Sequence, residues 1–374
     1  MTGQRVVIRE FAETPLAAIE QQLEIVAQSR PEPGELGAHD VIVEIRSASV
    51  NWVDLLMTSG QYQHMPAPPY TPGLEYAGVV AWVGSEVSGV AIGDPVIADG
   101  LQTGPRSLGR YQRWGGFASW AVAPDKALLP LPPGFDFDQG CNLLGNYETA
   151  YHCLIHRGQL QAGETVLING ATGSTGFAAV DLAKRVGATV IATGRSPAKL
   201  AEVAELAGIG ADHTVAVTDE HGGVRRFRDE VKALTDGRGV ELVYDPVGGE
   251  VSLESLRCVE FGARFLIVGW ASTPFVARGK GQRGAPNANV LPTNLIMMKG
   301  LDVLGCPAAI SSHRDPAIRV TRLAQLLEWA NAGTISPRVA ARYPLTDIRE
   351  AMRAKWESRY VGGVVVHPAT AGPD

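Results

Sequence analysis

Cysteine is scarce here: 374 residues hold four, Cys141, Cys153, Cys258 and Cys306. None is paired at metal-finger spacing, so they read as buried thiols of a reducing compartment. Long apolar runs are missing as well. None approaches the ~20 residues needed to span a bilayer. The first strand-like residues turn charged at Arg9 and Glu10, without the apolar core of a secretory signal. The cytoplasm is therefore the expected location, with no membrane partner. Strong charge is also lacking. A formal net charge of -6 and a pI of about 5.8 give no pull toward nucleic acid or anionic lipid. Repeats and low-complexity segments are absent, and glycine and proline are spread as in a turn-rich α/β enzyme. The length exceeds that of one typical domain and predicts two, each with an ample core.

The first third is β-rich. Val6-Val7-Ile8, Leu23–Val26, Val41–Ile45, Gly78–Gly84 and Asp94–Ala98 are short runs rich in β-branched residues, separated by turn residues. Such runs predict a β-barrel-like domain. The middle changes period. Strands Thr165–Ile168, Thr189–Ala192, His213–Val217, Val240–Tyr244 and Arg264–Gly269 alternate with helices ending near Gly187 and over Pro197–Leu206, Val224–Leu234 and Val251–Val259. That alternation predicts a doubly wound parallel sheet. The last part predicts helices Ile318–Ala330 and Asp347–Trp356. The apolar strand Gly363–Val366 follows, and its expected partner is the N-terminal β-domain.

The strongest motif is Asn169-Gly170-Ala171-Thr172-Gly173-Ser174-Thr175-Gly176, between a β-branched strand and a helix. Gly173 lets the backbone approach a pyrophosphate, and Gly176 lets helix and strand pack closely. The helix start offers N–H groups and a positive dipole end. Gly170, Thr172, Gly173, Ser174, Thr175 and Gly176 are thus candidate cofactor residues; Ala171 stands where the usual fingerprint has its first glycine. The end of the second strand reads Thr193-Gly194-Arg195-Ser196, then Lys199. An acid there would bind a ribose 2′-hydroxyl. Instead two cations and two hydroxyls suit a 2′-phosphate, so Gly194, Arg195, Ser196 and Lys199 point to NADP(H).

These residues resemble the medium-chain dehydrogenase/reductase superfamily, in its zinc-free NADPH:quinone oxidoreductase-like branch. The likeness also rests on Val50–Asp54, Pro72–Val80, Val90–Val96, Asp245-Pro246-Val247-Gly248-Gly249 and Arg264–Gly269. It covers nearly the whole chain. It implies a GroES-like β-barrel catalytic domain from residues 1–143 and 308–374, with a Rossmann NADP(H)-binding domain at 144–307. Nicotinamide and substrate would lie in the cleft between them, and Leu301–Leu304 is the candidate edge strand for a homodimer. The catalytic zinc ligands of the superfamily's alcohol dehydrogenases fall on Asn51, Leu74 and the Leu144-Gly145-Asn146 region, which supply no thiol and no imidazole. No cysteine lies between Ala98 and Trp114, where a structural zinc would need four. No metal is therefore expected. Without a Lewis acid, conjugated acceptors are favoured over simple ketones.

The same resemblance nominates the catalytic pair. Tyr62 matches the tyrosine that related enoyl reductases place near the nicotinamide; its hydroxyl would donate to the developing enolate. Asn51 replaces the zinc cysteine and would orient the nicotinamide ribose or the substrate carbonyl, or else cap a turn. Asp54 would hold one of them or lie on a helix surface. Thr149, Val247, Gly269 and Trp270 are expected beside the cofactor, and Arg359 near its 2′-phosphate. Val217 stands where the family often has tyrosine. Two basic segments, 101–116 with Arg106, Arg110 and Arg113, and 278–284, are either solvated loops or binders of substrate phosphate or carboxylate. His152 and His156, four apart, read as ordinary helix residues. The leading expectation is NADPH-dependent reduction of a small quinone or activated α,β-unsaturated carbonyl. The alternatives are an enoyl thioester reductase and an NADPH-binding sensor or structural protein with little turnover.

Overall fold

The computed structural model describes residues 2–62, 66–107, 109–273 and 289–369. They group into two compact units. Of these, one unit takes those up to 145 and those from 327 on, and the other takes 146–273 and 289–326.

The first unit is built on a seven-stranded sheet, mostly antiparallel. Its longest strand, Asp40–Ser49, pairs with Glu75–Val83 on one side and with Trp120–Pro124 and Gly363–His367 on the other. The C-terminal strand thus joins the N-terminal sheet, at Val365 opposite Ser49 and Val366 opposite Ala48. Alternation along Asp40–Ser49 explains its burial on both faces. Val41, Val43 and Ile45 enter the main core with Tyr76, Phe117 and Val364. Ile42 faces the other way, onto Trp120 and Val122. A helix that periodicity did not reveal, Pro15–Gln21, starts where the Thr14 hydroxyl accepts from the Ala17 N–H at 3.1 Å.

The second unit contains a six-stranded, wholly parallel sheet. Across the sheet the strands run His213–Ala216, Thr189–Gly194, Thr165–Ile168, Val240–Asp245, Val259–Ile267 and Asp302–Gly305. Numbered within the unit, that order is 3-2-1-4-5-6, the doubly wound arrangement whose ligand crevice lies beyond the carboxyl ends of strands 1 and 4. Leu167, Ile191, Val215, Val243 and Phe265 fill its core, together with Phe227 and Leu256.

Three local readings need correction. The helix expected over Val224–Leu234 is only Arg228–Ala233, because Val224 bridges Thr218 and the Arg225 N–H bonds the Val217 carbonyl. The stretch holding His152 and His156 is a π-helical turn, His152–Arg157, with the two rings stacked 5.4 Å apart. Helix Ala308–Arg314 and the start of helix Ala317–Asn331 group with the parallel sheet's unit, past the expected boundary at 307. Arg319 and Arg322 tie them there through the buried carboxylate of Glu148.

Candidate functional site

At the switch point, strand Thr165–Ile168 ends in the glycine turn and helix Ser174–Val186 begins. Gly170 has φ +64°, a conformation that L side chains rarely adopt. A Cβ on Gly176 would lie 2.2 Å from the Gly170 carbonyl oxygen, so only glycine lets the helix seat on the turn. Gly173 is exposed, and a Cβ there would meet nothing nearer than 3.5 Å. It caps the helix without a side-chain hydrogen bond. The backbone thus presents a bare helix start, which fits the pyrophosphate of a dinucleotide. Thr172, Ser174 and Thr175 are half-buried around it, and the Thr175 hydroxyl donates to Asn146 Oδ1 at 3.0 Å.

Beneath the turn lies a buried polar network that sequence reading did not single out. Asn169 donates to Asp245 Oδ1 at 3.2 Å and to Ser255 Oγ at 3.0 Å, and accepts from the Thr193 hydroxyl at 2.8 Å. Asp245 also accepts from the Val247 N–H at 3.0 Å, the Gly248 N–H at 3.2 Å and the Ser252 hydroxyl. The network locks the ends of strands 1, 2 and 4 together. Burial raises the Asp245 carboxyl above its ordinary range, against the pull of those donors. The signal was present as an Asn and an Asp, each closing a β-branched strand.

At the end of strand Thr189–Gly194, Arg195 is exposed and Lys199 half-buried. Burial and then the charge of Arg195 lower the Lys199 ammonium from its ordinary value, while Glu202 opposes. Two cations therefore converge on one place and repel each other. Ser196 acts locally, capping helix Pro197–Ala204 by accepting from the Lys199 N–H at 3.4 Å. Gly194 is buried against Leu200. Val247 and Gly269 are half-buried near the ends of strands 4 and 5. Trp270, the next residue, is 45% exposed. Thr149 is half-buried in helix Leu144–Tyr151. Val217 is buried.

In the β-rich unit, Asn51 begins helix Trp52–Thr58. Its side-chain N–H groups donate to Ser49 Oγ at 2.7 Å and Glu75 Oε2 at 3.0 Å. Glu75 also accepts from the Gly145 N–H at 2.5 Å. A carboxylate only accepts, which fixes the Asn51 amide with its oxygen as the remaining polar atom. Asn51 can thus accept from a hydroxyl but has no N–H left for a substrate carbonyl.

Asp54 is not a helix-surface acid. It is 1% exposed and accepts from the Asn51 N–H at 2.8 Å and the Leu74 N–H at 3.0 Å. Burial pushes its carboxyl up to about 7; those two donors and Arg106 oppose, and Glu75 adds to the rise. Tyr62 is half-buried in the turn after that helix.

Within 101–116, Arg110 and Arg113 have local partners. Arg110 pairs with Asp40 and lies over the Tyr111 ring at 4.8 Å, and Arg113 lies over Trp114 at 5.3 Å. Arg106 is half-buried, and its charge is felt at Asp54. The other basic segment, 278–284, lies outside the described residues. Arg359 is held by Glu350 and Glu357, an arrangement that neutralises it at the surface. All four cysteines are buried, and none forms a disulfide. Among the described residues, no group of three or more His, Cys, Asp or Glu side chains is arranged to hold a metal, and no helix is long and apolar enough to cross a membrane.

Comparison with known proteins matches this arrangement. Residues 37–133 match the alcohol dehydrogenase GroES-like domain family and residues 174–318 the zinc-binding dehydrogenase family. The quinone oxidoreductase-like protein 2 homolog of Nematostella vectensis is 32% identical over 345 residues, covering 92% of this chain and 86% of that protein. The mouse quinone oxidoreductase-like protein 2 is 30% identical, covering 89% of this chain and 86% of its own. Among solved structures, the quinone oxidoreductase of Pseudomonas syringae pv. Tomato DC3000 superposes with a TM-score of 0.76 at 26% identity, covering 98% of this chain and 100% of that one. The chain belongs to the quinone oxidoreductase-like branch of the medium-chain dehydrogenases/reductases, and is an oxidoreductase that uses a nicotinamide cofactor.

Proposed function

We propose that the protein is a zinc-independent, NADPH-dependent reductase of small quinones or activated α,β-unsaturated carbonyls. The observation that carries the reading is the pair Arg195 and Lys199 at the end of the second strand, with no acid there to bind a 2′-hydroxyl. Their mutual repulsion is relieved by a phosphate dianion, which only the phosphorylated dinucleotide brings. The family relatives named as quinone oxidoreductases support the acceptor class.

A bound nicotinamide would supply a hydride to an electron-poor carbon. The chain's part is positioning and charge. Gly173 and the helix start at Ser174 hold the pyrophosphate, and Arg195 with Lys199 the 2′-phosphate. Asn51, its amide N–H groups already spent on Ser49 and Glu75, accepts from a ribose hydroxyl. Tyr62 donates its hydroxyl proton toward the acceptor oxygen as negative charge develops there. Side chains at the positions of the usual zinc ligands, Asn51 and Leu74, are poor donors to zinc, so the charge falls to Tyr62. The protein acts in the cytoplasm as a homodimer, paired through the edge strand Asp302–Gly305.

The test compares initial rates of NADPH oxidation with a small quinone and a short enoyl thioester, for the wild type and Tyr62→Phe. The expected result is faster turnover of the quinone and a fall in kcat of about 10²-fold or more in the variant with that acceptor. Faster turnover of the thioester would move the acceptor to that class. An unchanged kcat would remove Tyr62 from the mechanism.

A further inference from the structure

A cavity lies within the second unit, and no residue of the cofactor turn lines it. It is half-open to solvent and offers about 250 Å³ beside the π-helical turn, lined by Tyr151, Ile155, His156 and Gln159 on one side and Ile318, Thr321 and Arg322 on the other. A water occupies about 30 Å³ of liquid volume, so the space holds several waters or one small organic molecule.

Arg322 makes this cavity unusual. Its side chain is only 3% exposed. Nε donates to Glu148 Oε2 at 3.1 Å, and that same oxygen already accepts from Arg319 Nε at 2.7 Å. Nη2 donates to the neutral hydroxyl of Ser312 at 2.7 Å. Nη1 is buried with no partner among the described residues. Arg322 thus holds a share in one carboxylate and keeps the two N–H bonds of Nη1 unmatched. A buried, unmatched charged donor is costly unless a ligand accepts from it.

The neighbourhood is positive. Next to Arg322, the buried His152 imidazole falls to about 4, through burial first and then the charges of Arg322, His156 and Arg157. His156, Gln159 and Thr321 stand exposed at the rim with donors of their own. The wall is a π-helical turn, a costly local geometry that recurs at functional sites.

We propose that this cavity binds a small organic anion, a carboxylate or a phosphate monoester, whose oxygens accept from Arg322 Nη1 and the rim donors. None of the residues assigned to the dinucleotide lines the site, and its ligand is a regulator or a second small molecule, not the reduced acceptor.

The test is calorimetric titration of the full-length protein, saturated with NADPH, with succinate and with phosphoglycolate. NADPH fills the cofactor's own phosphate site, so binding elsewhere is what remains. Thr321→Glu puts a carboxylate at the exposed rim without touching the core. Arg322→Lys keeps the charge but removes the guanidinium fork, with folding checked by far-UV circular dichroism and by NADPH binding. The expected result is binding of at least one probe by the wild type, weakened 10-fold or more by Thr321→Glu and by any folded Arg322→Lys. No binding of either probe by the wild type would overturn the proposal, as would equal affinity in Thr321→Glu. Preference for succinate or for phosphoglycolate separates the two sources of the anion.

Discussion

At the scale of the residue, the proposed preference for NADPH rests on Arg195 and Lys199. A charge-assisted hydrogen bond contributes about 1.5–3 kcal/mol, which is roughly 10- to 150-fold in affinity. Arg195→Ala should therefore raise the KM for NADPH by about 10-fold or more while leaving that for NADH nearly unchanged. Steady-state kinetics with both nucleotides checks it, and an equal effect on the two would show that Arg195 does not read the 2′-phosphate. Asp54 carries a second prediction. Its carboxyl ionises near 3.8 when unfolded and about 7 when buried. Between those values the folded state binds the extra proton, so stability falls as pH rises, by up to about 1.4 kcal/mol per pH unit. Glu75, Arg106, Lys355 and Tyr70 are the ionisable groups that feel or act on it. Asp54→Asn should flatten this slope in denaturant unfolding between pH 4 and 7; an unchanged slope would place the titration elsewhere. Asp54 also shows what one sequence conceals. An acid at the fourth residue of a helical run looks like a solvated side chain, and only the return of the loop bearing Leu74 buries it.

At the scale of the element, the glycine turn was legible because its demands are local. Strand, turn and helix are contiguous, and each glycine answers a backbone constraint that spacing alone specifies. Gly176→Ala would drive a Cβ against the Gly170 carbonyl oxygen, which is backbone and cannot swing aside. Overpacking of this kind costs about 1–3 kcal/mol. Thermal unfolding should show the loss, with NADPH affinity weakened beyond it because the helix start moves; full stability and full affinity would contradict the geometry. Elements set by tertiary contacts were less legible. The helix at Pro15–Gln21 is only seven residues long, so it left too few turns for a periodic signal. The π-helical turn is backbone detail that periodicity at 3.6 cannot register. The Arg322–Glu148 network joins residues 174 positions apart, a distance that local spacing does not carry.

At the scale of the molecule, the doubly wound parallel sheet followed from the alternation of strands and helices, and the C-terminal strand's partner from its apolar character; the order of the strands was seen only in the structure. How the acceptor is chosen depends on side chains from separated segments, and spacing does not carry that. Self-association is predicted from the second unit's own surface. Asp302–Gly305 is the last strand of its sheet among the described residues, and Phe261, 80% exposed, and Met297, 73% exposed, belong to the neighbouring strand and preceding helix. Phe261→Asp should convert a dimer to a monomer in sedimentation equilibrium; a dimer unaffected by it would pair through another face.

One measurement bears most directly on the proposed chemistry: steady-state oxidation of NADPH by a small quinone, after exhaustive treatment with a chelator, with NADH in parallel. Saturable turnover is expected, with at least about tenfold higher kcat/KM for NADPH than for NADH, and no change on chelation. No turnover with any quinone, a preference for NADH, or activity lost to the chelator and restored by zinc would contradict it.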